Sequence, residues 1–292
     1  MTLTITGSLG NISRPLIEKL VASGHDVRVI SSNPEKASEI KALKATPLIG
    51  SLTDTAFISR SLKGTDGLYT MVPPDFSVSN YNDFADKIHQ NYVQAIHLND
   101  IQFVVNLSSI GVPFAGVNPL EDFYNLEKRL DNIPGLNLVH LRPAMFYTNF
   151  YGSLPLVKHQ GIIGHNVAGS TDLLMTHPVD IAETAFTFLN TLSFSGGQVK
   201  YVISDVKSGN EVAKIISEAI AKPLTWVQFT DDDLLAALLQ NGFTRDAADS
   251  LVIATGKAIR EGLFDVFKKE VLRGRKFVDF AQEFERVYQL VG

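Results

Sequence analysis

Two stretches of this chain place residue types at spacings that suit chemistry. The first is Thr6-Gly7-Ser8-Leu9-Gly10-Asn11-Ile12-Ser13, directly after the strand-like Leu3-Thr4-Ile5. A phosphate needs backbone N–H groups aimed at it and a helix N-terminus whose dipole favours negative charge. Gly7 permits a tight turn and Gly10 lets the backbone approach a pyrophosphate closely. Ser13, small but not glycine, stands where the usual fingerprint has a third glycine for helix–strand packing. The second stretch is Tyr124-Asn125-Leu126-Glu127-Lys128. Residues four apart share one helix face, so a Lys128 ammonium can lower the Tyr124 phenol's pKa and hold a ribose while the phenolic oxygen transfers a proton. Ser109, or its neighbour Ser108, ends an apolar strand and can supply a hydroxyl that orients a carbonyl. Each stretch also has a plainer reading. The glycines can form an ordinary strand-to-helix turn, and Tyr124 and Lys128 can be surface residues flanking the apolar stripe Phe123, Leu126, Leu130 and Ile133.

The surrounding elements decide how much weight the motifs carry. Short apolar runs at 3–6, 27–31, 46–49, 67–72, 103–107 and 136–141 alternate with helical patterns at 14–22, 35–43, 55–62, 81–98 and 122–130. Unbroken apolar strands alternating with helices predict an α/β, Rossmann-type doubly wound parallel sheet with helices on both faces. The glycine turn then joins the first strand to the first helix, the context in which such a motif binds a dinucleotide. Pro15 falls in that helix's first turn, where N–H groups lack helical partners anyway. After residue 141 the pattern loosens. Residues 143–169 are rich in Gly, Pro and aromatics, which suits a pocket-forming excursion, and Met145, Phe146, Tyr147, Phe150 and Tyr151 can line it or pack in a core. A helix is expected from Asp180 as its N-cap, a strand at 199–204, and a mostly helical tail from Lys207 with a strand at 225–229.

The end of the second strand bears on which dinucleotide is held. Sites for NAD place a carboxylate there to hold the ribose 2′-hydroxyl. Here the strand ends in Ser31-Ser32-Asn33-Pro34-Glu35-Lys36, with no acid at its end and with Glu35 starting the next helix. Ser31, Ser32, Asn33 and Lys36 can surround a 2′-phosphate, or the same residues can simply cap that helix. The absence of the acid favours NADP(H) over NAD(H).

Composition removes other classes. The 292 residues carry a net charge of −5 with no lysine- or arginine-rich run, which disfavours nucleic acid or an anionic membrane as partner. There is no cysteine, so disulfides, thiolate metal sites and cysteine nucleophiles are excluded. The seven histidines show no metal-ligand spacing, and no metal is expected. His140, inside an apolar strand, reads as a satisfied core residue, and Asp231-Asp232-Asp233 as a helix N-terminus. With neither a signal peptide nor a run of about 18 apolar residues, the chain reads as cytoplasmic.

Further motifs follow in order: Asn33-Pro34-Glu35-Lys36-Ala37, Gly50-Ser51-Leu52-Thr53-Asp54, Asp66-Gly67-Leu68-Tyr69 running to Pro73-Pro74, and Val105-Asn106-Leu107-Ser108-Ser109-Ile110-Gly111. Leu141-Arg142-Pro143, Asn149-Phe150, Pro178-Val179-Asp180-Ile181-Ala182 and Gly274-Arg275-Lys276 complete the series. In order and spacing the chain resembles the NmrA-like group of atypical short-chain dehydrogenases/reductases, especially its NADPH-dependent quinone oxidoreductase branch. It departs from the branch at Ser32, where an arginine is common, and at the third glycine. The resemblance implies that Ser51 and Leu52 lie near the adenine, that Val72, Pro73 and Pro74 run along the cofactor, and that Pro143 and Ala144 flank the nicotinamide. Tyr124 and Lys128 match the Tyr-x-x-x-Lys pair of active short-chain dehydrogenases, and the interval from Ser109 suits their serine. It implies an NAD(P)-binding core over 1–150 and a smaller, mostly helical substrate lobe over 151–292, with 178–204 returning to the core. The expected activity is NADPH-dependent reduction of a quinone or related carbonyl compound, a small-molecule substrate. The alternative is a non-catalytic NADP(H) sensor that docks onto a regulatory protein. A homodimer is compatible with either, and a third option, an epimerase holding NAD, is opposed by the missing acid after the second strand.

Overall fold

Seven strands lie side by side, all parallel, and the inner ones, apolar on both faces, take cover from two helical layers. In the computed structural model, which describes residues 1–75, 78–114 and 121–290, these are β1 (Thr2–Ile5), β2 (Asp26–Ser31), β3 (Thr46–Ile49), β4 (Gly67–Thr70), β5 (Phe103–Leu107), β6 (Asn137–Pro143) and β10 (Gly197–Val202). Their order is β10-β6-β5-β4-β1-β2-β3. The chain builds outward from β1 to β3 and then crosses back to lay β4 on β1's other edge, with Ile5 level with Val29 on one side and Tyr69 on the other. That reversal opens a crevice at the carboxyl ends of β1 and β4, where α/β sheets of this kind take ligands.

Successive residues along each strand feed opposite layers. Leu68, Val104 and Leu138 pack against α3 (Thr55–Ser61), α4 (Tyr81–Leu98) and α5 (Glu121–Asp131), while their neighbours Tyr69, Val105 and Val139 pack against α1 (Ser13–Ala22), α2 (Lys36–Ala42) and the later helix α7 (Pro178–Leu189). The doubly wound sheet expected from the alternation is therefore present.

A second layer of structure grows from the end of β6. There β7 (Met145–Phe146) leads through a 3-10 stretch, Tyr147–Ser153, into α6 (Leu154–Gln160) and β8 (Ile162–His165). The strand β9 (Asp172–Thr176) pairs with β7 and with β11 (Asp205–Ser208), and β12 (Thr225–Gln228) pairs with β8. Helices α8 (Gly209–Ile220), α9 (Asp231–Gln240), α10 (Arg245–Ala248), α11 (Ala254–Arg260) and α12 (Phe277–Leu290) complete this part, with α8 and α12 enclosing its apolar centre. The excursion over 143–169 thus carries regular elements. Among the described residues no helix is long and apolar enough to cross a membrane.

One expected boundary is corrected. Asp180 does not cap α7, because Pro178 already starts the helix and the His177 ring accepts the Val179 N–H at 3.1 Å. Asp180 is instead buried inside the first turn. Its carboxylate accepts from the Ser204 hydroxyl at 2.5 Å, the Arg275 N–H at 2.9 Å and the Arg275 guanidinium at 2.6 Å, tying the C-terminal segment to the sheet.

Candidate functional site

The glycine turn lies at the crevice and is held from both sides. Thr6 donates its hydroxyl to the Tyr69 carbonyl at 3.1 Å and accepts the Met71 N–H at 3.1 Å, anchoring the turn to β4. The backbone then passes through two left-handed residues, Gly7 at φ +88° and Ser8 at φ +54°. Ser13, in the third-glycine position, is buried and donates its hydroxyl to the Thr6 carbonyl at 2.8 Å. A side chain on Gly7 would begin 2.7 Å from that hydroxyl oxygen, so the serine fills the space a third glycine leaves free. Gly10 is exposed, and its N–H is spent on the Gly7 carbonyl at 3.1 Å. Among the described residues the N–H groups of Asn11 and Ile12, at the start of α1, have no protein partner. Leu9 packs partly against the core beneath. An open turn with unspent donors at a helix N-terminus fits a pyrophosphate.

The residues expected around the ribose divide into two kinds. The Ser31 hydroxyl is buried, takes the Ser8 hydroxyl at 2.8 Å and the Asn33 N–H at 3.2 Å, and shapes the loop. Ser32 and Asn33 face solvent, and the Asn33 side chain accepts the Glu35 N–H at 2.9 Å, forming a turn ahead of α2, whose N-cap Glu35 itself carries no side-chain cap. The Lys36 ammonium pairs with Glu39 at 2.9 Å, and Glu39 also takes the Arg14 guanidinium. The Lys36 hydrogen bond, joined by the charges of Lys36 and Arg14, holds the Glu39 carboxyl below its ordinary range against the opposing effect of burial. Ser51 is exposed and bonds Thr53 at 2.8 Å, while Leu52 and Val72 join one apolar cluster with Tyr92. Pro73 is half-buried and Pro74 exposed, beyond Met71, whose carbonyl accepts the Tyr92 hydroxyl at 2.7 Å.

At the ends of β5 and β6 the structure gathers charges. Ser108 is buried and donates its hydroxyl to Glu127, itself buried. The Arg142 guanidinium grips Glu127 with two bonds, at 2.9 and 2.5 Å, and donates to the Tyr201 hydroxyl at 3.2 Å. Burial works against the guanidinium's charge, but Glu127 and Tyr201 outweigh it and leave Arg142 more firmly protonated than usual. Beside this pair, the Thr70 hydroxyl donates to the Asn106 side-chain oxygen Oδ1 at 2.9 Å. That leaves the Asn106 amide to donate to His140 Nδ1 at 3.0 Å, so the ring proton sits on Nε2, facing Asp131 at 3.2 Å. His140 is thus a satisfied interior residue.

Tyr124, Glu127, Lys128 and Asp131 share one face of α5. With Val112, Pro113 and Arg142 they line a cavity of about 230 Å³ that opens to solvent. The Lys128 ammonium lies 5.5 Å from the centre of the Tyr124 ring, so the structure brings this pair together. Ser109 is not among the lining residues, and its hydroxyl accepts the Gly111 N–H at 3.2 Å. Pro143 and Ala144 are buried where the sheet passes into the second part. The Pro143 carbonyl accepts from Ile110 at 3.0 Å, and the Ala144 N–H reaches Thr176 at 2.9 Å.

Three site residues escaped the sequence reading. Arg14 carried a signal, a cation four residues past Gly10, and Arg142 stood in a motif noted only as a landmark. Glu127 had only its place between Tyr124 and Lys128. The aromatics after Arg142 take the packing option. Tyr147 and Phe150 are buried against Phe277, and Tyr151 stacks on Phe284.

Comparison with known proteins bears on the domain and its fold. Residues 7–150 match the family described as NAD(P)H-binding. A curated relative, quinone oxidoreductase 2 of Escherichia coli, is 23% identical over 266 residues, 90% of each chain. Among solved structures, an NADPH-dependent quinone oxidoreductase of Escherichia coli complexed with NADPH superposes with a TM-score of 0.79 at 21% identity, covering 97% of this chain and 99% of that one. The negative transcriptional regulator NmrA in complex with NADP superposes with a TM-score of 0.73 at 14% identity, covering 99% and 97%.

Proposed function

We propose that this chain, whose residues 7–150 match an NAD(P)H-binding family, is an NADPH-dependent oxidoreductase of the NmrA-like atypical short-chain dehydrogenase/reductase group that reduces a quinone or related carbonyl compound. The observation that carries this reading is the cavity beside the ends of β5 and β6, where Tyr124 and Lys128 meet next to the Glu127–Arg142 pair. The near full-length likeness to a quinone oxidoreductase supports the substrate class. When bound, NADPH supplies the hydride. The chain's own work is to orient the dinucleotide on the glycine turn, to seat a carbonyl in the cavity, and to deliver the proton its oxygen needs from the Tyr124 phenol under Lys128's charge.

A second reading, an NADP(H) sensor without turnover, is favoured by one feature. Ser109 is spent on Gly111 and lies off the cavity, so the serine, tyrosine and lysine are not gathered as a set. One experiment separates the two. Purified protein is mixed with NADPH and a panel of benzoquinones, naphthoquinones and simple ketones, and NADPH absorbance is followed. The reductase reading expects consumption that depends on the acceptor and slows by about 10²–10⁴-fold in Tyr124→Phe, the usual reach of one acid–base group. Stoichiometric binding of NADPH and NADP⁺ with matching affinity and no turnover sinks it in favour of the sensor.

A further inference from the structure

The end of β2 lacks the arginine that the family resemblance led one to expect, since Ser32 occupies that place. A cation contributed by another element nevertheless reaches the helix that follows β2. Arg14 lies in the first turn of α1, its N–H bonded to the Gly10 carbonyl at 3.0 Å. Its guanidinium reaches across to Glu39 on α2, where Lys36 also arrives at 2.9 Å. The bond between the Ser8 and Ser31 hydroxyls, at 2.8 Å, draws the glycine turn against the end of β2, and Arg14 and Lys36 meet at Glu39 beside it. Both are only about 40% exposed and share a single carboxylate. Arg14 also touches Glu18 at 3.5 Å, an exposed pair of small weight.

We propose that Arg14 and Lys36 together take the 2′-phosphate of NADPH, and that Glu39 is the specificity-determining residue that holds the two cations in place and competes with the phosphate for them. This inference rests on the reading that the glycine turn holds a dinucleotide. A carboxylate already clasped by two cations is poorly placed to grip a 2′-hydroxyl as the acid of an NAD site does. A phosphate dianion offers three acceptor oxygens, and Arg14 can meet two of them with its planar fork. It therefore displaces Glu39 from the cations more readily than an uncharged ribose can. Discrimination between the two nucleotides would then depend on α1 as well as on the β2 loop, and Glu39 would limit how tightly NADPH binds.

The test is a calorimetric titration of the full chain with NADPH, NADH, 2′,5′-ADP and 5′-AMP. Wild type is expected to prefer the 2′-phosphorylated member of each pair. Arg14→Gln should weaken NADPH and 2′,5′-ADP at least tenfold while leaving NADH and 5′-AMP within about twofold, and Arg14→Lys should recover part of the loss. Glu39→Gln should raise the NADPH-over-NADH preference several-fold. Arg14→Gln weakening all four ligands alike, or none, overturns the proposal, as does an unchanged preference in Glu39→Gln. If wild type binds none of the four, the dinucleotide reading itself fails, which is a different result from binding without discrimination.

Discussion

A buried carboxylate has to be matched, and Glu127 is matched by Ser108 and by two bonds from Arg142. Removing one member of such a pair leaves the other charge stranded in a low dielectric, at a cost of about 3–5 kcal/mol. Glu127→Ala is therefore expected to lower stability by that much in urea unfolding. Glu127→Gln, which can still accept from Ser108 or Arg142, should lose less. Equal, small losses in both variants would show that Arg142 finds another partner. The glycine turn offers a second residue-level case. Gly7→Ala suffers twice, from φ +88° and from a Cβ 2.7 Å from Ser13 Oγ. The backbone strain alone is worth about 1–2 kcal/mol. Ser13→Gly removes the close oxygen but not the strain, so the alanine penalty should shrink in that background without vanishing. A double-mutant cycle by thermal unfolding reads the difference, and strict additivity would deny the contact.

At the scale of elements, the link between α7 and the segment leading into α12 deserves its own perturbation. Gly274 comes so close to Asp180 that an added Cβ would sit 2.3 Å from its carboxylate, while Arg275 binds Asp180 and Glu183. Gly274→Ala should cost about 1–3 kcal/mol as an overpacking change and raise amide exchange in α12 before the sheet is affected. Exchange that rises uniformly, or not at all, would refute a local latch. This link also marks what the sequence could and could not convey. The inner strands were legible because each is a run of apolar residues feeding two layers, as Val104 and Val105 do, whereas edge strand β10, with Gln198 and Lys200, lies at 197–202 and not at the expected 199–204. The glycine turn was legible because its geometry is local. The start of α7 was misplaced because Asp180 has the chemistry of a cap, and only the fold shows that Pro178 and His177 had already settled the matter. Arg14 with Glu39 and Arg142 with Glu127 are separated by 25 and 15 residues, so no local pattern announces either pair. The aromatic run after Arg142 was ambiguous for the same reason, since its partners Phe277 and Phe284 come more than a hundred residues later.

For the whole molecule, two buried titratable groups on α4 and α5 make the response to acid a test of how the layer over the sheet is packed. His89 is buried, and neither ring nitrogen has a partner among the described residues. Burial, helped by Arg129 and opposed by Asp86, pushes the ring down to about 4 from its ordinary 6.5. The unfolded chain therefore binds the extra proton first, and this group's contribution is complete above pH 6.5 and is lost as pH falls towards 4. Asp122, at the start of α5, behaves oppositely. Burial pushes its carboxyl up to about 6 from 3.8, against bonds from backbone N–H groups and Tyr81. Here the folded state holds the proton, so stability is greatest below 3.8 and declines as pH rises to 6. Each shift corresponds to up to about 3 kcal/mol across its window, at about 1.4 kcal/mol per unit. Between pH 4 and 6 the two slopes cancel in the wild type and become visible only when one group is removed. Measured against wild type at the same pH, His89→Leu should gain about 3 kcal/mol in relative stability as pH is lowered from 6.5 to 4. Asp122→Asn should gain a similar amount as pH is raised from 3.8 to 6. Urea unfolding at half-unit pH steps gives both curves. Flat differences in both would mean that water reaches these side chains and that α4 and α5 pack less tightly over the sheet than the structure shows.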